Sequence, residues 1–278
     1  MMKTETVAGI TYSKPIVTVL QDSPLLVGEL AGRIAYDSFD KSEHEVIRNF
    51  TPNRVSGLNA DNSELLNSLA WVHHHYSVLE HLSLSYLIEG TTRGVLAELS
   101  RHRIASYTVR STRYTMSDII YLFAAEYQGS YTEGFFVNEV ITLNVFNLSG
   151  EFERLEARQL WDKLFTQLLE VGKEEFFTAI LSKDNLEYYR HCTDEDSPSV
   201  IYRTLKAGKQ KRNAGDSLKW VVTDTWNVDL VMTMNLRSLK NFFTLRDSSA
   251  SYFQIQWLAQ AMKEVTPDKY LNLIVKNK

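Results

Sequence analysis

The chain has 278 residues, of which 44% are hydrophobic and 23% are charged, and its formal net charge at pH 7 is −4. This length and composition are typical of a globular protein with a full hydrophobic core, and they exclude a disordered or fibrous chain. A slightly acidic chain also gives no general reason to expect nucleic acid as a partner, because duplex binding favours basic domains.

Several whole-chain features indicate the setting of the protein. No apolar run is long enough to cross a bilayer, and the first residues lack the basic head and apolar stretch of a secretory signal. Cys192 is the single cysteine, which excludes an internal disulfide and a cysteine-based metal cluster. No long Pro/Gly/Ser linker interrupts the sequence. We therefore expect a cytoplasmic protein that forms a single domain over residues 1–278.

The first clear periodic segments lie between residues 63 and 89. Residues 63–76 carry leucines at helical spacing after Asp61 and Asn62, which predicts a helix with one of these two residues as its cap. Residues 82–89 alternate apolar and polar side chains, which is the pattern of a half-buried strand. A strand is therefore predicted directly after the histidine run at 73–75.

A strongly basic segment follows that strand. Residues 91–103 read as a helix capped by Thr91 or Thr92, and residues 101–113 hold four arginines and a histidine without one acid. Paired guanidinium donors match phosphate oxygens, and the interleaved hydroxyls could complete a phosphate cradle. Two explanations stay open on composition alone: a site for anionic ligands, or a solvated basic edge whose arginines pair with acids elsewhere.

The second half of the chain is predicted to be mainly helical. In residues 151–181, apolar side chains recur every three or four residues, which predicts one long amphipathic helix. Residues 194–198 form a turn that opens a further helix. That helix carries a second basic cluster at residues 203–212, for which a solvated helix face is the simpler interpretation.

The C-terminal region combines a strand with a helix that carries a displaced charge. Residues 228–234 are apolar and strand-like, and residues 236–265 are predicted to form one long helix. Arg246 falls in the middle of the apolar face of that helix. A guanidinium there needs a partner, which is either a carboxylate or carbonyl of the protein or a bound anionic ligand.

No general catalytic or metal-binding motif competes with these features. Phosphate-binding glycine loops, the GxSxG turn and the HExxH motif are absent. His81 lies six residues after the histidine run at 73–75, and no acid or cysteine ligand pattern accompanies these histidines, so no metal site is predicted.

Three motifs in the correct order resemble one known family. Arg101-His102-Arg103 followed after seven residues by Ser111 matches RHRx7S, the signature of the flavin-dependent thymidylate synthases. Residues 75–81 are similar to the HxTPxEH region of that family. Residues 234–246, MNLRSLKNFFTLR, resemble its NxRSLxNFxxLR segment. The chain is therefore identified as resembling this family.

The resemblance implies an α/β (α+β) fold with a central, mostly antiparallel sheet, long flanking helices and no Rossmann domain. It also implies a homotetramer in which FAD and dUMP bind at sites shared between subunits. In such enzymes, 5,10-methylenetetrahydrofolate supplies the one-carbon unit and NADPH supplies reducing equivalents for the conversion of dUMP to dTMP. No cysteine nucleophile is needed, so Cys192 is interpreted as incidental.

Residue roles are carried over from matching positions of the family motifs. The cofactor-binding positions are His75, Ser77, Arg101, His102, Arg103, Ile104, Asn235, Arg237 and Asn241. The dUMP-binding positions are Glu98, Arg101, Ser111, Thr112, Arg113, Lys219 and Arg246. Arg246, expected to polarise the uracil, and Ser111 are the expected catalytic residues.

The sequence departs from the family pattern at several positions, namely Ala35, Val109, Lys219 and Ala250, and in an additional stretch at residues 50–62. These differences leave two alternatives to an efficient enzyme. One is a family member that binds FAD and dUMP but turns over weakly or not at all. The other is a non-enzymatic module that binds nucleotides or single-stranded nucleic acid through the same arginines and nearby aromatic rings.

Overall fold

The computed structural model describes residues 3–51, 56–128, 135, 151–170, 172–208, 216, 219 and 222–276. The side chains of residues 113–115, 151–157 and 160 lie outside this description. The chain divides into two compact units. The first comprises residues 3–13 and 110–228, and the second comprises residues 14–109 and 229–278.

A four-stranded sheet organises the second unit. Its strands are β3 (Ile16–Asp22), β4 (Ser83–Thr92), β5 (Ala105–Val109) and β6 (Asn227–Asn235, which begins at the unit boundary), in the spatial order β3-β4-β6-β5. The β3–β4 and β5–β6 pairs are antiparallel, and the β3–β4 register shifts between Val19 and Gln21. The expected antiparallel sheet is therefore confirmed.

The alternation predicted for residues 82–89 is confirmed in β4. Leu84, Tyr86 and Ile88 are fully buried, while the residues between them are half-buried. The hydroxyl of Tyr86 is satisfied by Thr266 Oγ1 at 2.9 Å, so burial of this ring leaves no unpaired polar atom. The apolar face of β4 thus supplies part of the core.

The second unit also contains helices between β3 and β5 in the sequence. They are α1 (Leu26–Ala35), α2 (Glu45–Arg48), α3 (Glu64–Trp71) and α4 (Arg93–Leu99), with short 3₁₀ turns at Phe39–Lys41 and Tyr76–His81. A satellite core joins Leu26, Ile47 and Leu58. Leu58 belongs to the additional stretch 50–62, of which residues 52–55 lie outside the described residues.

The helix predicted for residues 63–76 is shorter than expected. Its cap is Ser63, whose Oγ accepts a hydrogen bond from Leu66 N at 3.3 Å, rather than Asp61 or Asn62. The helix ends at Trp71, and His74 adopts a left-handed φ of 55°. That conformation is incompatible with a continuing helix, so the histidine run forms a turn.

The long C-terminal helix predicted over residues 236–265 is two helices, α10 (Leu236–Arg246) and α11 (Phe253–Val265), followed by α12 (Asp268–Ile274). This break is a correction to the sequence prediction. The serine-rich turn between α10 and α11 supplies its own hydrogen bonds, since Ser251 Oγ donates to Leu245 O at 2.9 Å. Serine side chains that bond to nearby backbone compete with helix formation. Arg246 is therefore the last residue of α10, beyond the buried Phe242 and Phe243.

The first unit contains a hairpin and a set of helices. The hairpin pairs β1 (Thr4–Val7) with β2 (Ile10–Ser13), and the helices are α5 (Thr112–Gln128), α6 (Glu151–Glu170), α7 (Lys173–Ile180), α8 (Lys183–His191) and α9 (Pro198–Ala207). Stacking of Phe123 on Phe165, with ring centroids 4.2 Å apart, joins α5 to α6. No helix among the described residues is both long and apolar enough to cross a membrane.

The helix predicted over residues 151–181 is also interrupted, between α6 and α7. Gly172 stands between them with φ of 148°, a conformation that side-chain-bearing residues rarely adopt. The predicted start of a helix at Ser197 and Pro198 is confirmed by α9. Of the basic cluster 203–212, Arg203 is exposed and Lys206 contacts Asp118 at 3.4 Å, while residues 209–212 lie outside the description.

Candidate functional site

The end of α4 positions the Arg101-His102-Arg103 segment. The helix starts at Thr92, whose Oγ1 accepts from Val95 N at 3.3 Å and donates to Gln254 at 2.8 Å. After the helix ends at Leu99, the Tyr107 hydroxyl lies 2.8 Å from the carbonyl of Leu99 and 3.0 Å from that of His102. These bonds from β5 hold the three basic residues in the connection between helix and strand.

A second element, α10, begins directly after β6. Asn235 caps it through Oδ1, which accepts from Ser238 N at 2.8 Å. The amide of Leu236 donates to Leu82 O at 2.8 Å, which fixes the start of the helix against the residue before β4. Arg237 and Asn241 follow this cap four residues apart, which places them on the same face of α10.

The two elements border a cleft of about 870 Å³. Most of its lining residues are polar or charged, and Ile104 and Leu245 are the two apolar ones. The lining residues are Glu80, Glu98, Arg101, His102, Arg103, Ile104, Asn235, Arg237, Ser238, Asn241, Leu245 and Arg246. All of them belong to the second compact unit.

Arg246 is the centre of a cluster in this cleft. Its Nη2 lies 2.9 Å from Glu98 Oε2, and its Nε donates to His102 Nε2 at 3.1 Å. The His102 ring packs edge-on against Phe242, with centroids 5.1 Å apart. The Arg246 side chain is only 19% exposed, so the guanidinium is held by partners rather than by bulk solvent.

The pKa of His102 is lowered from its ordinary value. Burial is the largest cause, the nearby Arg246 charge acts in the same direction, and the Glu98 carboxylate opposes both. A lowered pKa keeps the imidazole neutral near pH 7, and only a neutral ring can accept the hydrogen bond from Arg246 Nε. The electrostatics therefore agree with the observed geometry.

The cleft carries more positive than negative charge. Four arginines and two glutamates line it. Arg237 forms an ion pair with Glu80, and Arg101 lies 3.9 Å from Glu98, whereas Arg103 has no acidic partner among the described residues. Arg101 and Arg103 are exposed. An excess of exposed guanidinium groups in a concave site favours an anionic ligand.

Most of the residues predicted for the site come together here. The cleft is lined by Glu98, Arg101, His102, Arg103, Ile104, Asn235, Arg237, Asn241 and Arg246. His75 and Ser77 are exposed but do not line it, and His75 Nδ1 instead lies 3.2 Å from the Tyr36 hydroxyl. Their predicted contact with a cofactor stays a prediction.

The remaining predicted positions lie in the first compact unit. Ser111 is half-buried and Thr112 is buried at the start of α5. The side chain of Arg113 lies outside the described residues, and Lys219 is exposed. Their predicted roles toward the nucleotide stay predictions.

The residues that depart from the family pattern occupy ordinary structural positions. Ala35 is the exposed last residue of α1, and Ala250 is exposed in the turn after α10. Val109 is half-buried at the end of β5, opposite Leu230. None of these three residues has a left-handed φ.

Sequence reasoning missed three lining residues, which are Glu80, Ser238 and Leu245. Glu80 lies in the same short segment as His75 and His81, and its ion pair with Arg237 bridges residues 157 positions apart. Ser238 and Leu245 lie on the same helix as Arg237 and Arg246. Helical spacing from Asn241, which lies three residues after Ser238 and four before Leu245, would have indicated both.

Among the described residues, one group of possible metal ligands lies elsewhere in the second unit. Atoms of Glu29, Glu43 and His44 lie within 4.8 Å of one another. The Glu29 carboxylate is buried and already accepts hydrogen bonds from Ser42 at 2.6 Å and Ser63 at 2.7 Å. Burial raises the pKa of the Glu29 carboxyl, but the hydrogen bonds from Ser42 and Ser63 and the contact with Arg33 outweigh burial and lower it below its usual value. We therefore interpret the group as a structural network.

Comparison with known proteins places the chain among relatives of nearly equal length. The family model described as thymidylate synthase complementing protein matches residues 18–269. A flavin-dependent thymidylate synthase of Wolinella succinogenes is 25% identical over 267 residues, covering 94% of this chain and 98% of the relative. A second one, from Campylobacter jejuni, is 28% identical over 255 residues, covering 91% and 93%.

Solved structures agree on the fold. A crystal structure of thymidylate synthase X from Helicobacter pylori with FAD and dUMP superposes with a TM-score of 0.55 at 22% identity, covering 94% of this chain and 97% of that one. At that identity the likeness concerns the fold alone. The family model matches nearly the whole sequence, and both relatives are flavin-dependent thymidylate synthases. The chain therefore belongs to the flavin-dependent thymidylate synthase family of methyl-transferring enzymes.

Proposed function

We propose that this protein converts dUMP to dTMP with FAD as cofactor, 5,10-methylenetetrahydrofolate as one-carbon donor and NADPH as reductant. The observation that carries the proposal is the cleft in which Arg246, Glu98 and the Arg101-His102-Arg103 segment meet. In the net reaction, the methylene carbon leaves the folate, which becomes tetrahydrofolate, and takes the place of the C5 hydrogen of the uracil, which leaves as a proton. The carbon is reduced to a methyl group with two electrons from NADPH, which becomes NADP⁺.

The cleft has properties that suit FAD and dUMP, the two compounds present in the Helicobacter pylori structure. Both are phosphorylated, and the four lining arginines exceed the two acids. The amides of Asn235 and Asn241 add donors and acceptors for a heterocycle, while Ile104 and Leu245 offer apolar surface to a planar ring. Bound FAD would supply the exchange of reducing equivalents, and Arg101, Arg103, Arg237 and the two amides are the residues proposed to hold it.

Arg246 is proposed to act electrostatically on the pyrimidine. A guanidinium that donates to a ring carbonyl stabilises negative charge on the pyrimidine, and C5 of such an electron-rich ring can attack the one-carbon unit. Glu98 and His102 hold Arg246 before any ligand arrives, so little reorganisation is needed. Preorganised donors of this kind contribute more than donors that must first be ordered.

Further residues of the chain are proposed to bind the ligands. Ser111, Thr112 and Arg113 would hold the dUMP phosphate, with Lys219 as an additional cation, and His75 and Ser77 would lie near the cofactor. The support for these roles is the match of the sequence motifs. We also propose that residues 1–278 act as one domain within a cytoplasmic homotetramer.

A family member with weak turnover is the second candidate. Two observations favour keeping it: Arg246 already has a carboxylate partner at 2.9 Å, and Lys219 presents a single ammonium rather than a bidentate fork. Such a protein would bind FAD and dUMP but release little dTMP.

The proposal is tested by the visible spectrum and by product formation. Protein purified without added cofactor is expected to be yellow, and the flavin absorbance is expected to fall when NADPH is added. Incubation with dUMP, the folate donor and NADPH is then expected to yield dTMP. A colourless protein whose ligand binding weakens steeply with salt would instead support the nucleic-acid-binding alternative. A yellow protein that binds dUMP without turnover would support the second candidate.

A further inference from the structure

The helix α10 borders a second cavity, of about 340 Å³, within the second unit. This cavity shares no lining residue with the cleft. Three lysines and an apolar wall characterise it, and we call it the lysine pocket. Its lysines are Lys240, Lys263 and Lys276, and its apolar wall includes Trp71, Phe243 and Ile274.

The positive charge of the lysine pocket exceeds the negative charge around it. Asp247 is the one acid among its described lining residues. That carboxylate already pairs with Lys263 and accepts a hydrogen bond from Gln260 Nε2 at 3.2 Å. Lys240 and Lys276 have no acidic partner among the described residues. Two ammonium groups therefore remain available to an anion.

Aromatic rings, rather than a carboxylate, hold the ammonium of Lys240. Its Nζ lies 3.9 Å from the ring centroid of Trp71 and 4.8 Å from that of Tyr76. The indole is fixed in turn, because Trp71 Nε1 donates to Asn272 O at 2.8 Å. Such ring contacts attract a cation without neutralising its charge.

The surroundings of Lys240 leave part of its desolvation without compensation. The side chain is half-buried, and this burial lowers the pKa of its amine. An opposite charge nearby would act against that effect and favour the ammonium form. A bound anion would supply this charge from within the pocket.

We propose that the lysine pocket binds a small ligand that carries an oxyanion, either a carboxylate or a phosphate, on an aromatic body. The oxyanion accepts hydrogen bonds from Lys240 and Lys276, and the aromatic body lies against Phe243 and Ile274. Ammonium groups are compact donors that suit both oxyanions. A cavity of about 340 Å³ falls within the range of small-molecule sites. The inference does not depend on the proposed function, since no residue assigned to FAD or dUMP lines this pocket.

The test measures dissociation constants by calorimetry for phenyl phosphate, benzoate and inorganic phosphate, with excess FAD and dUMP present to fill the cleft. Phenyl phosphate and benzoate are expected to bind, and the tighter of the two identifies the oxyanion that the pocket favours. Inorganic phosphate is expected to bind at least about tenfold more weakly than phenyl phosphate, because it lacks the ring. Equal affinity for these two phosphates would overturn the proposed contact with the apolar wall.

Lys240→Gln and Lys276→Gln test the two ammonium groups. Lys240→Gln is expected to weaken phenyl phosphate and benzoate about tenfold, since a charge-assisted hydrogen bond is lost. Lys276→Gln is expected to weaken them about threefold, because Lys276 is exposed and its charge is screened by solvent. Replacement of an exposed side chain leaves the fold intact, so Lys276→Gln gives a result independent of any effect of Lys240→Gln on folding.

Lys269→Gln is the matched control. Lys269 lies on the neighbouring helix α12 and its Nζ is 4.9 Å from the ring centroid of Tyr270, but it contacts Asp22 at 3.3 Å and does not line the pocket. This variant loses the same charge and is expected to bind both aromatic anions within about twofold of the wild type. An equal weakening in Lys269→Gln and Lys240→Gln would show a general effect of charge and would overturn the site.

Tryptophan fluorescence locates the bound anion. Binding is expected to draw the ammonium of Lys240 away from the Trp71 ring and so to change the emission of the wild type, whereas Trp71→Phe is expected to lose this change. An identical change in Trp71→Phe would place the anion elsewhere. The proposal is also overturned if the wild type binds neither phenyl phosphate nor benzoate, or if affinity is unchanged in both folded lysine variants of the pocket.

Discussion

At the scale of single residues, Arg246 fits both explanations that the sequence offered for its charge. Its position among apolar residues of α10 predicted that the guanidinium has a partner, either a carboxylate of the protein or a bound ligand. The structure provides a carboxylate, Glu98, but places both residues on the wall of the same cleft. An internal partner therefore does not remove Arg246 from ligand binding.

Replacement of Arg246 tests its electrostatic role. Arg246→Ala is expected to lower dTMP formation by about 10²- to 10³-fold while flavin stays bound, because the charge developing on the pyrimidine loses its donor. Arg246→Lys keeps the positive charge but lacks the planar, paired donors of a guanidinium, so a large part of the loss of turnover is expected to remain. Turnover is measured as dTMP formed per flavin. Wild-type turnover in Arg246→Ala would contradict the assigned role.

The lowered pKa of His102 predicts a pH dependence of stability. Because its pKa lies below the ordinary value of 6.5, the unfolded chain takes up a proton that the folded protein resists. The stability contributed by neutral His102 is fully present above about pH 6.5 and is lost as the pH falls through the lowered pKa of the folded state.

His102→Gln removes this titration and retains an acceptor. On acidification from pH 7.5 to pH 5, the thermal unfolding midpoint of the wild type is expected to fall further than that of the variant. Equal falls would show that His102 does not contribute to the acid sensitivity.

Cys192 is expected to be dispensable for turnover. Its thiol is buried, its Sγ donates to Tyr188 O at 3.4 Å, and burial raises its pKa, which are properties of a structural cysteine rather than of a nucleophile. Cys192→Ser is therefore expected to form dTMP within about twofold of the wild-type rate per folded protein. Complete loss of turnover with a native circular dichroism spectrum would contradict a mechanism without a cysteine nucleophile.

At the scale of elements, periodicity located the helices but overestimated their lengths. The breaks after Arg246 and at Gly172 interrupt apolar patterns that continue on the other side. An apolar pattern reports which side chains are buried, and two short helices can bury the same residues as one long helix. The breaks depend on local hydrogen bonds and on a backbone conformation that the pattern does not record.

The junction at Gly172 gives a prediction for stability. Gly172→Ala is expected to lower the free energy of unfolding by about 1 kcal/mol or more, because φ of 148° is unfavourable for any residue with a Cβ. An added Cβ would lie 3.2 Å from Oε2 of the flexible Glu175 side chain, so space is a minor cost. The free energy is measured by denaturant unfolding.

Introducing Gly172→Ala into a Glu175→Ala background separates the two causes. The loss of stability is expected to persist in this background, because the Glu175 side chain is removed while the unfavourable φ at position 172 remains. Recovery in that background would indicate steric contact instead of backbone strain.

At the scale of the whole molecule, the chain passes between its two compact units at 13/14, at 109/110 and again at 228/229. Neither unit is made from one continuous segment. We therefore expect residues 1–278 to unfold in one cooperative transition, as a single domain would.

Tryptophans report on both units, with Trp161 and Trp226 in the first and Trp71 and Trp257 in the second. Tryptophan fluorescence and far-ultraviolet circular dichroism are expected to give coincident denaturation curves. Two separated transitions would show that the units fold independently.

The sequence by itself determined the chemistry available to this protein and its family. The Arg101-His102-Arg103 motif, Ser111 and the segment ending at Arg246 are each local patterns, and local patterns can be read without knowledge of the fold. The strands β4 and β6 were likewise predicted correctly, and Thr92 is one of the two caps predicted for α4, since alternation and capping act over a few residues.

Only the tertiary structure decided which of these residues meet. Arg246 and His102 are 144 residues apart, and Arg237 and Glu80 are 157 apart. Such contacts depend on how the sheet brings the end of α4 beside α10, and no periodicity along the chain encodes that placement. Glu98 and Arg246 meet in the same way, because no local pattern of the sequence indicates that these two side chains are in contact.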